Sequence, residues 1–196
     1  MSTYPNVKFL TSAAEAHQLA PDIGREIAFA GRSNSGKSTA INAITHRSGL
    51  ARVSRTPGRT QLINFFELAP DCRLVDLPGY GFAKVPERVR VKWLRLMEHY
   101  FNVRGSLVGL MLMVDSRRGL GTEDVAMLEW MLARDGQAHV LLTKSDKLNR
   151  RDSERVLQET KTACADTAVT AQLFSAHAKK GFEEARSVME RWLADA

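Results

Sequence analysis

The chain has 196 residues, of which 44% are hydrophobic and 26% charged, with a formal net charge of +6 from 28 basic and 22 acidic side chains. These proportions suit a water-soluble globular domain and exclude a collagen-like, low-complexity or disordered chain. The longest apolar runs, such as residues 107–114, are far too short to cross a bilayer, so no membrane is expected. One domain over residues 1–196 is expected, with a short N-terminal extension over about residues 1–24. The N-terminus lacks a basic segment followed by an apolar core, the pattern of a secretion signal. Cys72 and Cys164 have no metal or redox spacing, and two free thiols suit a reducing cytoplasm.

In chain order, residues 7–10 alternate briefly, as an edge strand does. After a polar connection with Pro21 and Gly24, residues 26–30 predict a strand, then a glycine-rich loop, then a helix to about residue 45. Residues 46–61 hold four arginines, a histidine and no acid. They lack sustained periodicity and carry the turn signal Thr56-Pro57-Gly58, which predicts a mobile loop. Residues 62–68 and 73–76 predict paired strands around a turn at Pro70-Asp71. A second flexible piece, residues 80–84, precedes a helix over 86–101, where proline suits the first turn. Val89, Trp93, Leu96, Met97 and Tyr100 form its apolar stripe, and Arg88, Lys92 and Arg95 a neighbouring basic one. Strands over 107–115, 139–143 and 168–174 alternate with helices over 123–134, 149–162 and 181–193. The pattern predicts an α/β fold in three layers, with a mostly parallel six-stranded sheet, one strand antiparallel, and helices on both faces. Ligands of such sheets bind beyond the C-terminal ends of the strands, where the motifs fall.

The first motif is Gly31-Arg32-Ser33-Asn34-Ser35-Gly36-Lys37-Ser38-Thr39, a phosphate-loop pattern between strand and helix. Its glycines let the backbone turn tightly and bring N–H groups onto phosphate oxygens. Lys37 supplies a charge for the outer phosphates, Ser38 a hydroxyl for Mg²⁺, and the helix N-terminus a favourable dipole. The base is chosen by Thr143-Lys144-Ser145-Asp146. A carboxylate there can accept from both N1–H and the 2-amino group of guanine, a donor pair that adenine lacks, while the Lys144 stem lies along the purine. Asp76-Leu77-Pro78-Gly79 closes an apolar strand. Asp76 can hold Mg²⁺ through water, and Gly79 can offer its N–H to a γ-phosphate. A threonine in the loop between the first helix and the next strand, Thr56 or Thr60, can complete the Mg²⁺ shell. Phe174-Ser175-Ala176 ends the last strand, where the Ala176 N–H suits guanine O6.

Charge is unevenly placed. Residues 47–104 hold 11 Lys/Arg and 5 Asp/Glu, and the rest of the chain balances. A localised surplus suits a polyanionic partner. Arg47, Arg52, Arg55, Arg88, Lys92 and Arg95 are the expected RNA-facing residues. No RNA-binding module appears that would read sequence.

The segments GRSNSGKST at 31–39, TPGRTQLINFFEL at 56–68, LVDLPGYGFAKVP at 74–86, LLTKSDKL at 141–148 and FSA at 174–176 together resemble the EngB/YihA/YsxC family of bacterial GTPases. The resemblance spans nearly the whole chain. It implies a Ras-like fold, Mg²⁺-dependent hydrolysis of GTP to GDP, and a role in assembly of the large (50S) ribosomal subunit and in normal septation. It puts the Mg²⁺ ligands on Ser38 and Thr60 and extends the nucleotide contacts over Gly58, Arg59, Thr60, Gln61 and Leu62. His177 departs from the lysine that related GTPases often carry after the last motif.

Phosphoryl transfer needs a placed water and neutralised charge rather than covalent chemistry. Lys37, Asn34, Thr60 and Gly79 are the candidate catalytic residues. Tyr80 stands where Ras has its water-orienting glutamine, so slow intrinsic turnover is expected. Asn34 can hold a potassium ion beside the phosphates, as related GTPases do, and Arg55 or Arg59 can serve similarly. The expected partner is the large ribosomal subunit or its precursor, through ribosomal RNA or proteins, met by a cytoplasmic monomer.

Overall fold

A computed structural model describes residues 4, 6–51, 62–81 and 86–194. Among the described residues seven strands form one sheet: β1 (Lys8–Ala13), β2 (Arg25–Gly31), β3 (Ile63–Ala69), β4 (Cys72–Asp76), β5 (Leu107–Asp115), β6 (Gln137–Thr143) and β7 (Val169–Leu173). Their order is β1-β3-β4-β2-β5-β6-β7. Only β3 runs against the others, pairing antiparallel with both β1 and β4. The helices are α1 (Lys37–Ile44), α2 (Glu87–Val103), α3 (Thr122–Leu132), α4 (Arg150–Ala163) and α5 (Phe182–Ala194).

Side-chain alternation along the strands divides the interior into two cores. In β2, Ala28 and Ala30 face one side, together with Trp93, Met97 and Tyr100 of α2, Met127 of α3 and Val156 of α4. Ile27 and Phe29 face the other, against Ile41 and Ile44 of α1 and Val188, Met189 and Trp192 of α5. Helices therefore cover both faces. β5 repeats the pattern, Leu110 and Leu112 on the first face and Met111 and Met113 on the second. The predicted α2 stripe is the buried one, and Arg88, Lys92 and Arg95 are exposed.

At the start of β2 the fold buries charge. Glu26 is fully buried, with Arg73 Nη1 at 2.8 Å and Arg104 Nη2 at 2.6 Å. Arg104 also donates to the Ala20 carbonyl at 2.6 Å, and Arg73 to the Pro21 carbonyl at 2.7 Å. The Arg104 guanidinium lies 5.3 Å from the centre of the Phe65 ring. These hydrogen bonds satisfy charges that burial would otherwise leave at high cost.

Two expectations need correcting. Among the described residues the sheet has seven strands, not six: residues 8–13 form a full strand, because antiparallel pairing with β3 supplies what their weak pattern lacks. Pro86 caps α2 rather than entering its first turn, and its extended ψ of 140° sets the helix start at Glu87. No described helix is long and apolar enough to cross a membrane.

Candidate functional site

The phosphate loop joins the end of β2 to α1, as expected. Gly36 has φ +96° and immediately precedes the helix, a left-handed position that favours glycine. Gly31 ends the strand with no room for a side chain: an added methyl would lie 2.6 Å from the Met113 carbonyl oxygen. The N–H groups of α1's first turn, from Lys37, Ser38 and Thr39, can thus face a bound anion. Lys37 is ion-paired with Asp76 at the end of β4, and both side chains are largely buried. The loop carries Ser33 and a buried Ser35, and at Asn34 it turns through a left-handed φ of +64°.

The segments expected to select the base converge on this loop. Thr143 Oγ1 donates to the Ser35 carbonyl, and Lys144 Nζ donates to the Asn34 carbonyl at 2.6 Å. Lys144 itself takes φ +56°. Ser145 hangs on the last strand, its N–H 3.2 Å and its hydroxyl 3.1 Å from the Phe174 carbonyl. Ser175 Oγ donates to Asp146 Oδ1 at 2.6 Å, which holds the Asp146 carboxyl below its usual pKa. The side chain of Asp146 is only 14% exposed, and a carboxyl held below its usual range is ionised at neutral pH. Ala176 follows at the strand end, half-buried.

Asp76, Leu77 and Pro78 are buried, and Gly79 packs on the loop's first turn. Leu77 N–H donates to the Phe29 carbonyl at 3.0 Å, carrying the β4 direction past the strand's end. Tyr80 leaves the expected water site altogether. It is buried, and its hydroxyl donates 2.6 Å to Asp124 at the start of α3.

Sequence reasoning missed Asp115. It ends β5, two strands from β4 on the same edge of the sheet. Its carboxylate accepts from Lys144 Nζ at 2.9 Å and from Arg117 Nη2 at 2.6 Å. Burial pushes its pKa up, but Arg117 and Lys144 outweigh that and hold it far below the carboxylate range. An acid closing an apolar strand in a sheet of this kind was the available signal. Asp115, Arg117, Arg118, Lys144, Asn34 and Arg32 line a cleft of about 460 Å³ beside the phosphate loop.

Arg52, Arg55, Thr56, Gly58, Arg59, Thr60 and Gln61 lie outside the described residues. Leu62 is half-buried just before β3, and Arg47 is exposed after α1. The donors that are described suit Mg²⁺: a serine hydroxyl at Ser38 and one buried carboxylate at Asp76. A hard cation that keeps several waters asks for no more. Among the described residues no cluster of three His, Cys, Asp or Glu side chains competes for it.

Residues 26–144 match the family described as 50S ribosome-binding GTPases. A probable GTP-binding protein EngB of Coxiella burnetii (strain CbuK_Q154) is 49% identical over 193 residues, 97% of this chain and 94% of that protein. The crystal structure of a probable GTP-binding protein engB superposes with a TM-score of 0.68 at 24% identity, over 87% of this chain and 100% of that one. Era, in complex with MgGDPNP and nucleotides 1506–1542 of 16S ribosomal RNA, superposes at 0.66 with 15% identity, over 89% of this chain and 58% of Era. The last two are likenesses of fold.

Proposed function

The chain belongs to the EngB family of GTP-binding proteins, and on that premise we propose a Mg²⁺-dependent GTPase acting in assembly of the large (50S) ribosomal subunit and needed for normal septation. GTP binding and GTPase activity come with the family. The ribosomal role is our own reading. The observation that carries it is the exposed basic stripe Arg88, Lys92 and Arg95 on α2, in a chain whose matched family is described as ribosome-binding. Lys92 is paired with Glu15 at 2.9 Å, but both are exposed, and water screens such a pair enough for a phosphate to displace it. In this reading the chain works in the cytoplasm as a monomer, with one nucleotide-binding domain over residues 1–196.

In hydrolysis, water attacks the γ-phosphorus, the bond from that phosphorus to the β–γ bridging oxygen breaks, and the water's proton passes to phosphate. Lys37 would leave Asp76 to lie against the β- and γ-phosphates, and the loop N–H groups would neutralise the developing charge. Gly79 would offer its N–H to the γ-phosphate, and Asp146 would take both guanine donors, with the Ala176 N–H on O6. Ser38, Thr60 and, through water, Asp76 would hold Mg²⁺, which supplies charge neutralisation across the phosphates when bound.

Co-sedimentation with large-subunit precursors tests the role. Binding should differ between a GTP analogue and GDP, because the Gly79 loop adjoins α2. Replacing Arg88, Lys92 and Arg95 by glutamine should weaken binding and flatten its log–log salt dependence by about 0.7–0.9 for each phosphate no longer neutralised. Unchanged binding and slope would remove α2 from the interface.

A second reading is a nucleotide-gated binder of ribosomal RNA or protein, with incidental hydrolysis and a direct septation role. It is favoured by Tyr80, whose hydroxyl is committed to Asp124 and cannot orient water. Potassium bears on this. Asn34 is exposed, and its side chain makes no hydrogen bond among the described residues, which leaves the amide oxygen for a monovalent cation. Turnover should rise at least about tenfold in potassium over sodium buffer, the scale of one added charge-stabilising contact. Equal rates would dismiss the cation and strengthen the incidental-hydrolysis reading.

A further inference from the structure

The first turn of α3 presents two consecutive acids to the two loops that flank the phosphate site. Glu123 Oε2 lies 2.7 Å from Arg32 Nη1 of the phosphate loop. Asp124, almost fully buried, accepts the Tyr80 hydroxyl at 2.6 Å on one carboxylate oxygen and the Gly121 N–H at 2.9 Å on the other. The two loops are also stitched directly, with Ser33 N–H donating to the Tyr80 carbonyl at 2.7 Å. Gly81, with φ +73°, sits against the Arg32 guanidinium, where a methyl would approach Nε to 2.9 Å. On its other side the Tyr80 ring meets Trp93 of α2, with centroids 6.0 Å apart.

The geometry points to Tyr80 and Asp124 as positioning residues for the γ-phosphate contact of GTP: the opening turn of α3 clamps the Gly79 loop against the phosphate loop. Tyr80 is held at its carbonyl, its ring and its hydroxyl, and Gly79 is the residue immediately before it. A methyl on Gly79 would lie only 3.5 Å from Ser33 N, so the loop already rests on the phosphate loop. Ordering this peptide in advance removes a cost that GTP binding would otherwise bear. GDP, which has no γ-phosphate, gains nothing from it. The inference rests on the reading of Gly79 as the γ-phosphate contact.

Tyr80→Phe keeps the ring against Trp93 and removes only the hydroxyl. It should lower affinity for a non-hydrolysable GTP analogue by about ten- to a hundredfold, the size of one hydrogen bond to a charged group, and leave GDP affinity within about twofold. Asp124→Asn retains an oxygen that can accept from Tyr80, so its analogue-to-GDP affinity ratio should stay near that of the unaltered protein. Equal losses for both nucleotides, tracking a fall in melting temperature, would make the pair merely structural and overturn the inference. An unchanged ratio in Tyr80→Phe would overturn it as well. Amide hydrogen exchange over residues 76–81 separates the two levels of failure. If exchange there slows with the analogue relative to GDP while the Tyr80→Phe ratio is unchanged, only the clamp is wrong. If exchange is indifferent to the γ-phosphate, the Gly79 reading falls and the clamp with it.

Discussion

Asp146→Asn should reverse the base preference of the site, from guanine to xanthine nucleotides. The Asp146 carboxylate is mostly buried, ionised and oriented by Ser175. In the proposed function it accepts from guanine N1–H and the 2-amino group together. Each hydrogen bond to a charged acceptor contributes about 1.5–3 kcal/mol, so two of them amount to roughly a hundredfold to ten-thousandfold in affinity. An asparagine presents one oxygen and an amide donor. It leaves a guanine donor unpaired but can donate to the 2-oxygen of xanthine. GDP affinity should drop across that range while XDP affinity rises above it, measured by displacement of a fluorescent nucleotide. If GDP affinity barely moves, or XDP gains nothing, Asp146 does not face the base.

The second large effect lies at the far end of the same sheet. Glu26→Ala should destabilise the protein by about 3–5 kcal/mol, because it removes the buried counter-charge that two guanidinium groups share. Arg73 and Arg104 keep their backbone acceptors in Ala20 and Pro21, which are dipoles rather than charges, and Arg104 keeps only the more exposed Asp22 carboxylate, 3.7 Å away. Glu26→Gln retains an acceptor and should cost less. The change should appear as a lowered urea midpoint with the slope unchanged. GDP affinity of the folded fraction should be preserved, because Glu26 lies at the opening of β2 and Gly31 closes it. A loss below about 1 kcal/mol would mean that water reaches the arginines, contrary to their burial.

The candidate nucleotide site is legible in the sequence to the degree that its motifs are local. Five short segments carry the expectation. The structure brings together those that are described, with Thr143 and Lys144 bonded to the phosphate loop and Ser175 to Asp146. Pairings between distant side chains were not legible. Nothing in the spacing of Glu26, Arg73 and Arg104 announces a buried triad, since charged residues ordinarily read as surface. That blind spot altered the charge argument. Two of the eleven basic residues in 47–104 are spent inside the fold and offer nothing to a polyanion. Tyr80 was legible as a departure from the Ras glutamine, but its bond to Asp124 depends on where α3 begins. β1 was underweighted because an edge strand with a bulge between Phe9 and Thr11 lacks clean alternation, and only its partner β3 defines it.

The Lys37–Asp76 ion pair joins the opening turn of α1 to the tip of β4, with both side chains largely buried. In the proposed function a bound triphosphate would compete with that pair, the ammonium turning to phosphate oxygens as the carboxylate passes to the metal's water. Affinity would then be the difference between two ionic contacts rather than the gain of one.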